Sequence, residues 1–166
     1  MKDSVSEEQS KLLIAVRLRG ESTGKPDVRD TLTSLRLEKK HHASIYYNQP
    51  QVNGMLRKAK DVLTWGEVKS ETMRRILEKK AEVKTGKRSI KELPKELGFS
   101  SMDELTKAMT KGDLLLEKLW RSGVKPVFRL HPPKGGFKGT TRRPYKSGGE
   151  LGYRGAAIND LILHMT

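Results

Sequence analysis

Between Leu12 and Val68 the apolar residues change period again and again, and that alternation restricts the fold more than any other feature of the chain. Leu12 to Arg19 opens apolar and then alternates, with Ala15 and Arg17 on one face and Val16 and Leu18 on the other. Spacing of this kind predicts a strand half-buried toward its end. Gly20 to Pro26 has the composition of a turn. From Pro26 the spacing becomes i, i+4, i+7 through Val28, Leu32 and Leu35, which predicts a helix opening on proline. Ala43 to Tyr47 reads as a second strand. Pro50 opens a second helix with Val52, Met55, Leu56 and Ala59 on one stripe, and Val62 to Val68 is a third strand. One small sheet with its helices on one face satisfies this strand–helix–strand–helix–strand order compactly.

Beyond Val68 the pattern turns helical. Ser70 is placed to cap a helix bearing Met73, Ile76 and Leu77, while Ser89 with Glu92 and Ser101 with Glu104 have capping-box spacing. Lys84 to Arg88 reads as a basic linker, and Leu114 to Trp120 as a short helix closed by Gly123. Val127 to Leu130 predicts a strand, and Ile158, Leu161, Ile162 and Met165 predict a helix over 156–165. The expected division is a core at 12–68, a helical extension at 69–123, and a strand, basic loop and terminal helix at 124–166.

The charge is strongly one-sided: the net value is +14 with a sequence pI near 10.0. Such a surface favours a polyanionic partner. It is concentrated between Val124 and Arg154, where Lys134, Lys138, Arg142, Arg143, Lys146 and Arg154 face a single acid, Glu150, with glycines, prolines and aromatic residues interleaved. That mixture predicts an open backbone able to follow a nucleic acid. Arg142 and Arg143 are suited to forking onto phosphates. Phe137 and Tyr145 can stack on unpaired bases, or else dock the arm onto the protein. The other candidate cations are Arg17 and Arg19 on the first strand, Arg29, Arg36, Lys39 and Lys40 on or after the first helix, and Arg57, Lys58 and Lys60 along the second.

Other chemistries find little support. The chain has no cysteine, which removes disulfides, thiolate metal sites and a cysteine nucleophile. Gly20-Glu21-Ser22-Thr23-Gly24-Lys25-Pro26 has one residue too few between its glycines for a nucleotide-binding loop, and proline stands where the magnesium-binding hydroxyl belongs. His41 and His42 are adjacent, so on a strand they point to opposite faces and chelate one metal poorly. His131 and His164 are isolated, and no Ser-His-Asp arrangement or carboxylate pair stands out. No apolar run reaches the ~18 residues of a membrane span. The polar start, with Asp3, Glu7 and Glu8, lacks the regions of a secretory signal, so a cytosolic protein is expected.

Several motifs then carry a resemblance. Arg19-Gly20, Gly24-Lys25-Pro26, and Thr31-Leu32-x-x-Leu35-Arg36-Leu37 leading into Lys39-Lys40-His41 resemble the signature of large-subunit ribosomal protein thirty. Pro50-x-x-x-Gly54-Met55-Leu56-x-Lys58-x-Lys60-Asp61 is similar to its second helix. Thr64-Trp65-Gly66-Glu67, Phe128-Arg129-Leu130-His131-Pro132-Pro133, Gly148-Gly149-Glu150-Leu151-Gly152-Tyr153 and Ile158-Asn159-Asp160-Leu161 resemble the long archaeal form, related to the eukaryotic large-subunit protein seven. The likeness runs over about residues 12–165, in family order. Asn48-Gln49 departs from the Asp-Thr pair often found before the second helix, and 84–100 match nothing distinctive.

The resemblance implies an α+β fold. A small antiparallel three-stranded sheet with helices on one face, a ferredoxin-like relative, carries a helical insertion and a C-terminal strand, basic loop and helix. It implies a structural, non-catalytic component of the cytoplasmic large ribosomal subunit, a monomer there, with ribosomal RNA and neighbouring ribosomal proteins as partners and no metal, cofactor or membrane. The RNA-binding set is then Arg17, Arg19, Lys25, Arg29, Arg36, the cluster Lys39-Lys40-His41-His42, Arg57, Lys58, Lys60, and the arm residues Lys134, Phe137, Lys138, Arg142, Arg143, Tyr145, Lys146 and Arg154. The alternative is a basic RNA-binding regulatory module working away from the ribosome.

Overall fold

The computed structural model describes residues 11–20, 25–84 and 90–166. Ser89 of the expected Ser89–Glu92 capping box, most of the Lys84–Arg88 linker, the tip of the first turn and the acidic N-terminus lie outside those residues. Strand β1 (Leu12–Arg17), helix α1 (Pro26–Ser34), β2 (His42–Tyr47), α2 (Pro50–Lys58) and β3 (Leu63–Glu67) follow the expected order. Four helices come next: α3 (Ser70–Lys79), α4 (Leu93–Glu96), α5 (Met102–Lys111) and α6 (Leu116–Arg121). The chain finishes with β4 (Phe128–Arg129), β5 (Thr140–Pro144), β6 (Gly149–Tyr153) and α7 (Ile158–Met165).

The sheet is larger than the three strands expected. It has six strands in the order β4-β2-β1-β3-β6-β5. The antiparallel core is as expected, with β1 paired to β2 on one side and to β3 on the other. β4 adds antiparallel to β2, and β6 adds parallel to β3. The alternation of side chains along β1 divides the interior in two. Leu13 and Ala15 join Leu32, Leu35, Leu37, Leu56, Ala59 and Trp65 beneath α1 and α2. Leu12, Ile14 and Val16 enter a larger cluster with Met73, Ile76, Leu105, Met109, Phe128, Ile158 and Ile162. Every residue of β1 is therefore buried, where alternation alone predicts a half-buried end. The helical extension and α7 cover the face that α1 and α2 leave open.

Helix starts mix local and tertiary solutions. Pro26 and Pro50 occupy first-turn positions of α1 and α2, where a missing N–H costs nothing. Ser101 caps α5 as expected, accepting from the Glu104 N–H at 3.3 Å, while the Glu104 carboxylate accepts from the Ser100 N–H at 2.8 Å. Gly112 closes that helix in the left-handed region, with φ of 85°. Ser70 is not the cap of α3. It is the first helical residue, and the preceding Lys69 N–H donates to Asn159 Oδ1 of α7 at 2.8 Å. Asn159 also donates to the carbonyls of Glu67 and Ala156, at 3.0 and 2.9 Å, and so binds β3, α3 and the entry to α7 together.

Between Lys134 and Arg154 the chain is not the open loop that its composition predicts. It carries β5 and β6, and its glycines mark close approaches of backbone. A Cβ at Gly149 would stand 1.9 Å from the Arg143 carbonyl oxygen, and one at Gly139 would stand 2.6 Å from that of Gly148. Real Cβ atoms tolerate neither distance, so β5 lies against β6 because these positions have no side chain.

Candidate nucleic-acid interface

The edge of α1, α2 and β3 faces β5 and β6 across a groove of about 1140 Å³. Arg19 and Lys25 reach it from the first turn, Arg57, Lys58 and Lys60 from α2 and just beyond, and Arg142 and Lys146 from the C-terminal arm. The acids lining it are Asp61 and Glu67. Its wall also includes Trp65 and Tyr153, neither of which composition picked out as contact residues, and Asn48 and Asn53, which hydrogen-bond to each other at 2.7 Å. Cations far apart in sequence are thus gathered around one channel with an aromatic wall.

Two arginines of the expected set turn inward, and the structure corrects their assignment. Arg17 is 6% exposed, and its guanidinium donates to the carbonyls of Arg19, Leu37 and Glu38 at 2.8, 3.1 and 2.6 Å. It ties β1 to the turn after α1. Arg154 is 9% exposed, with Nη2 on Glu150 Oε2 at 2.6 Å and Nε donating to Thr64 Oγ1 at 2.7 Å. Glu150 in turn accepts from the Gly139 N–H at 2.8 Å, and the Thr64 hydroxyl donates to the Gly152 carbonyl at 2.9 Å. The lone acid of the arm therefore neutralises a buried arginine and pins the arm to β3.

The two aromatic residues singled out by sequence are also constrained. Phe137 is half-buried against the larger core cluster and docks the arm. Tyr145 is exposed, but the Arg154 guanidinium stands 4.8 Å from its ring centroid and occupies one side.

The remaining cations are spread over the surface. Arg29, Lys134, Lys138 and Arg143 are exposed and do not line the groove. Arg36 is exposed at the end of α1 in the left-handed region, φ 63°, with its N–H on the Thr33 carbonyl and that of Leu37 on Leu32. Lys39, Lys40, His41 and His42 form a second cluster at the turn into β2, outside the groove lining. His42 pairs across to Arg129, and the His41 carbonyl accepts from the Leu130 N–H.

His41 and His42 are not on one strand with opposite directions, as the sequence suggests. His41 sits in the turn before β2 with φ of 67°, and its Nδ1 is buried without a hydrogen-bond partner among the described residues. Burial, then the nearby Lys40 and His131, holds the His41 pKa below the ordinary 6.5. Burial, then Arg129 and Lys39, does the same for His42. Folding thus releases protons here, and stability is lost as pH falls below that ordinary value. Both imidazoles are expected to be neutral at pH 7 and to titrate by NMR at lower pH than a free histidine. A raised midpoint would show instead that an acid governs the cluster.

The family profile described as Ribosomal protein L30p/L7e matches residues 13–63, which span β1 to the start of β3. The large ribosomal subunit protein uL30 of Staphylothermus marinus is 47% identical, over 93% of this chain and 98% of that protein. The chain belongs to the L30p/L7e family. The uL30 proteins of Ignicoccus hospitalis and Nanoarchaeum equitans are 43% and 42% identical, covering 93% and 89% of this chain and 98% and 94% of theirs. The family's ferredoxin-like α+β core is the β1-α1-β2-α2-β3 unit. These matches, over 89% to 93% of this chain, extend well beyond the residues 13–63 of the family profile.

Proposed function

We infer that this chain is a structural constituent of the large ribosomal subunit, binding and stabilising ribosomal RNA. It acts in the cytoplasm as a single copy among neighbouring ribosomal proteins, and its role is packing and charge neutralisation without turnover. The carrying observation is the convergence of Arg19, Lys25, Arg57, Lys58, Lys60, Arg142 and Lys146 on one groove. Each phosphate neutralised there releases counterions, so a handful of such contacts gives tight, salt-sensitive binding. Residues 12–68 and 124–166 carry the RNA contacts, and 69–123 closes the far side of the sheet. Lys39, Lys40, His41 and His42 form a second contact, and Arg29, Arg36, Lys134, Lys138, Arg143 and Tyr145 extend the surface.

The purified chain is expected to bind a structured large-subunit RNA fragment more tightly than duplex DNA, to lose affinity steeply with salt, and to fractionate with large subunits. Equal affinity for both nucleic acids, or absence from the subunit, would sink this reading. Changing Arg142 and Arg143 together to alanine removes two exposed cations. RNA affinity should fall about tenfold or more and the log–log salt slope should shrink by about two, while the melting temperature stays nearly unchanged. Lost folding with unaltered affinity would make the arm a structural clasp alone.

A further inference from the structure

Resting on that reading, we propose that the groove seats an unpaired nucleotide of the ribosomal RNA, with its base on the exposed face of Tyr153. Tyr153 lines the groove and is 45% exposed. It is also held still. Its ring leans on Trp65 at 6.4 Å between centroids, and its hydroxyl donates to both Glu67 carboxylate oxygens at 2.6 and 2.9 Å. The ring is therefore a fixed platform. Beside it Gly152 has φ of 83°, and the place where its Cβ would stand has nothing within 4 Å, so the approach is open.

Arg142, Lys146, Lys58 and Lys60 share the groove with this ring and are placed for the phosphates on either side of a bound base. A duplex hides its base faces, so an aromatic platform within a cationic channel suits a bulged or looped nucleotide. The volume of about 1140 Å³ exceeds that of a usual small-ligand cavity, which favours a segment of strand over a free nucleotide. Phe137 and Tyr145 do not compete for this role, since neither lines the groove.

The test uses the full-length chain and the large-subunit RNA fragment that it protects from ribonuclease. Tyr153→Ala should weaken binding about ten- to a hundredfold, the range of one lost base stack. Tyr153→Phe keeps the ring but loses its bonds to Glu67, so it should bind less tightly than wild type and more tightly than the alanine variant. Tyr153→Leu keeps apolar bulk over Trp65 but no stacking ring, and should bind as poorly as the alanine variant. Abasic substitution at one unpaired position should cost as much as Tyr153→Ala, and the two together no more than either alone. Tight binding by the wild type and equally tight binding by the folded leucine variant would overturn this proposal while leaving the ribosomal reading intact. Failure of the wild type to bind the RNA would overturn both.

Discussion

Replacing Glu150 by leucine is expected to destabilise the protein by about 3–5 kcal/mol, the range seen when one partner of a buried ion pair is removed. The Glu150 and Arg154 side chains are 7% and 5% exposed, and their charged atoms are 2.6 Å apart. Without Glu150 the guanidinium stays buried, left with the Thr64 hydroxyl, the residue 150 carbonyl and the face of the Tyr145 ring. The Gly139 N–H loses its acceptor as well. A domain of this size has only ~5–15 kcal/mol in total, so the loss is a large share. Arg154→Met should cost a similar amount, because it strands the carboxylate. The double variant should cost far less than the sum, since an apolar pair removes both buried charges together. Urea unfolding of the four proteins tests this as a double-mutant cycle. Additive losses would show that each residue acts through other neighbours and that the pair does not clamp the arm to β3.

That clamp also shows where sequence reading stops. The elements of 12–68 were legible because each has its own period, and the prolines at 26 and 50 sit where a helix tolerates them. The cations of α2 were legible as a surface for the same reason. Arg17 and Arg154 were not, because a sequence records charge but not the carbonyls and carboxylate that the fold brings around it. Glu150 looked like an exception within a basic run, and its meaning depends on Thr64 and Gly139 meeting it in space. Glycine content suggested an open arm, yet Gly139 and Gly149 are small because other backbone passes against them. Ser70 stands at the start of α3, but the cap position is one residue earlier, at Lys69, whose N–H donates to Asn159 of α7, a contact that no local pattern encodes. Composition singles out Phe137 and Tyr145 and not Tyr153, since exposure of a ring is decided by packing. The one local signal available was Gly152 before it, a residue free to turn the strand outward.

Gly66→Ala should be among the most damaging single-methyl changes in the sheet. Gly66 lies within β3, paired with Ile14 of β1, and Trp65 beside it points toward α1 and α2. By alternation, a side chain at 66 points to the other face, where the turn into α7 crosses. A Cβ there would stand 2.0 Å from the Gly155 carbonyl oxygen and 2.9 Å from Ile158 Cγ2. The first obstacle is backbone, so no rotamer change relieves it. The turn cannot simply slide, because Asn159 binds the Glu67 carbonyl and the Lys69 N–H, and the Arg154 N–H donates to the Trp65 carbonyl at 2.9 Å. Moving α7 away would also open the interior at Ile158, Ile162 and Met165, all fully buried. The cost should reach the upper end of the ~1–3 kcal/mol typical of overpacked cores, or pass it. Hydrogen exchange should accelerate first at Lys69 and at His131, whose N–H donates to the Met165 carbonyl, because both bonds depend on the seat of α7. A loss below ~0.5 kcal/mol, the range of an ordinary surface substitution, would show that the α7 turn can shift aside without breaking those bonds.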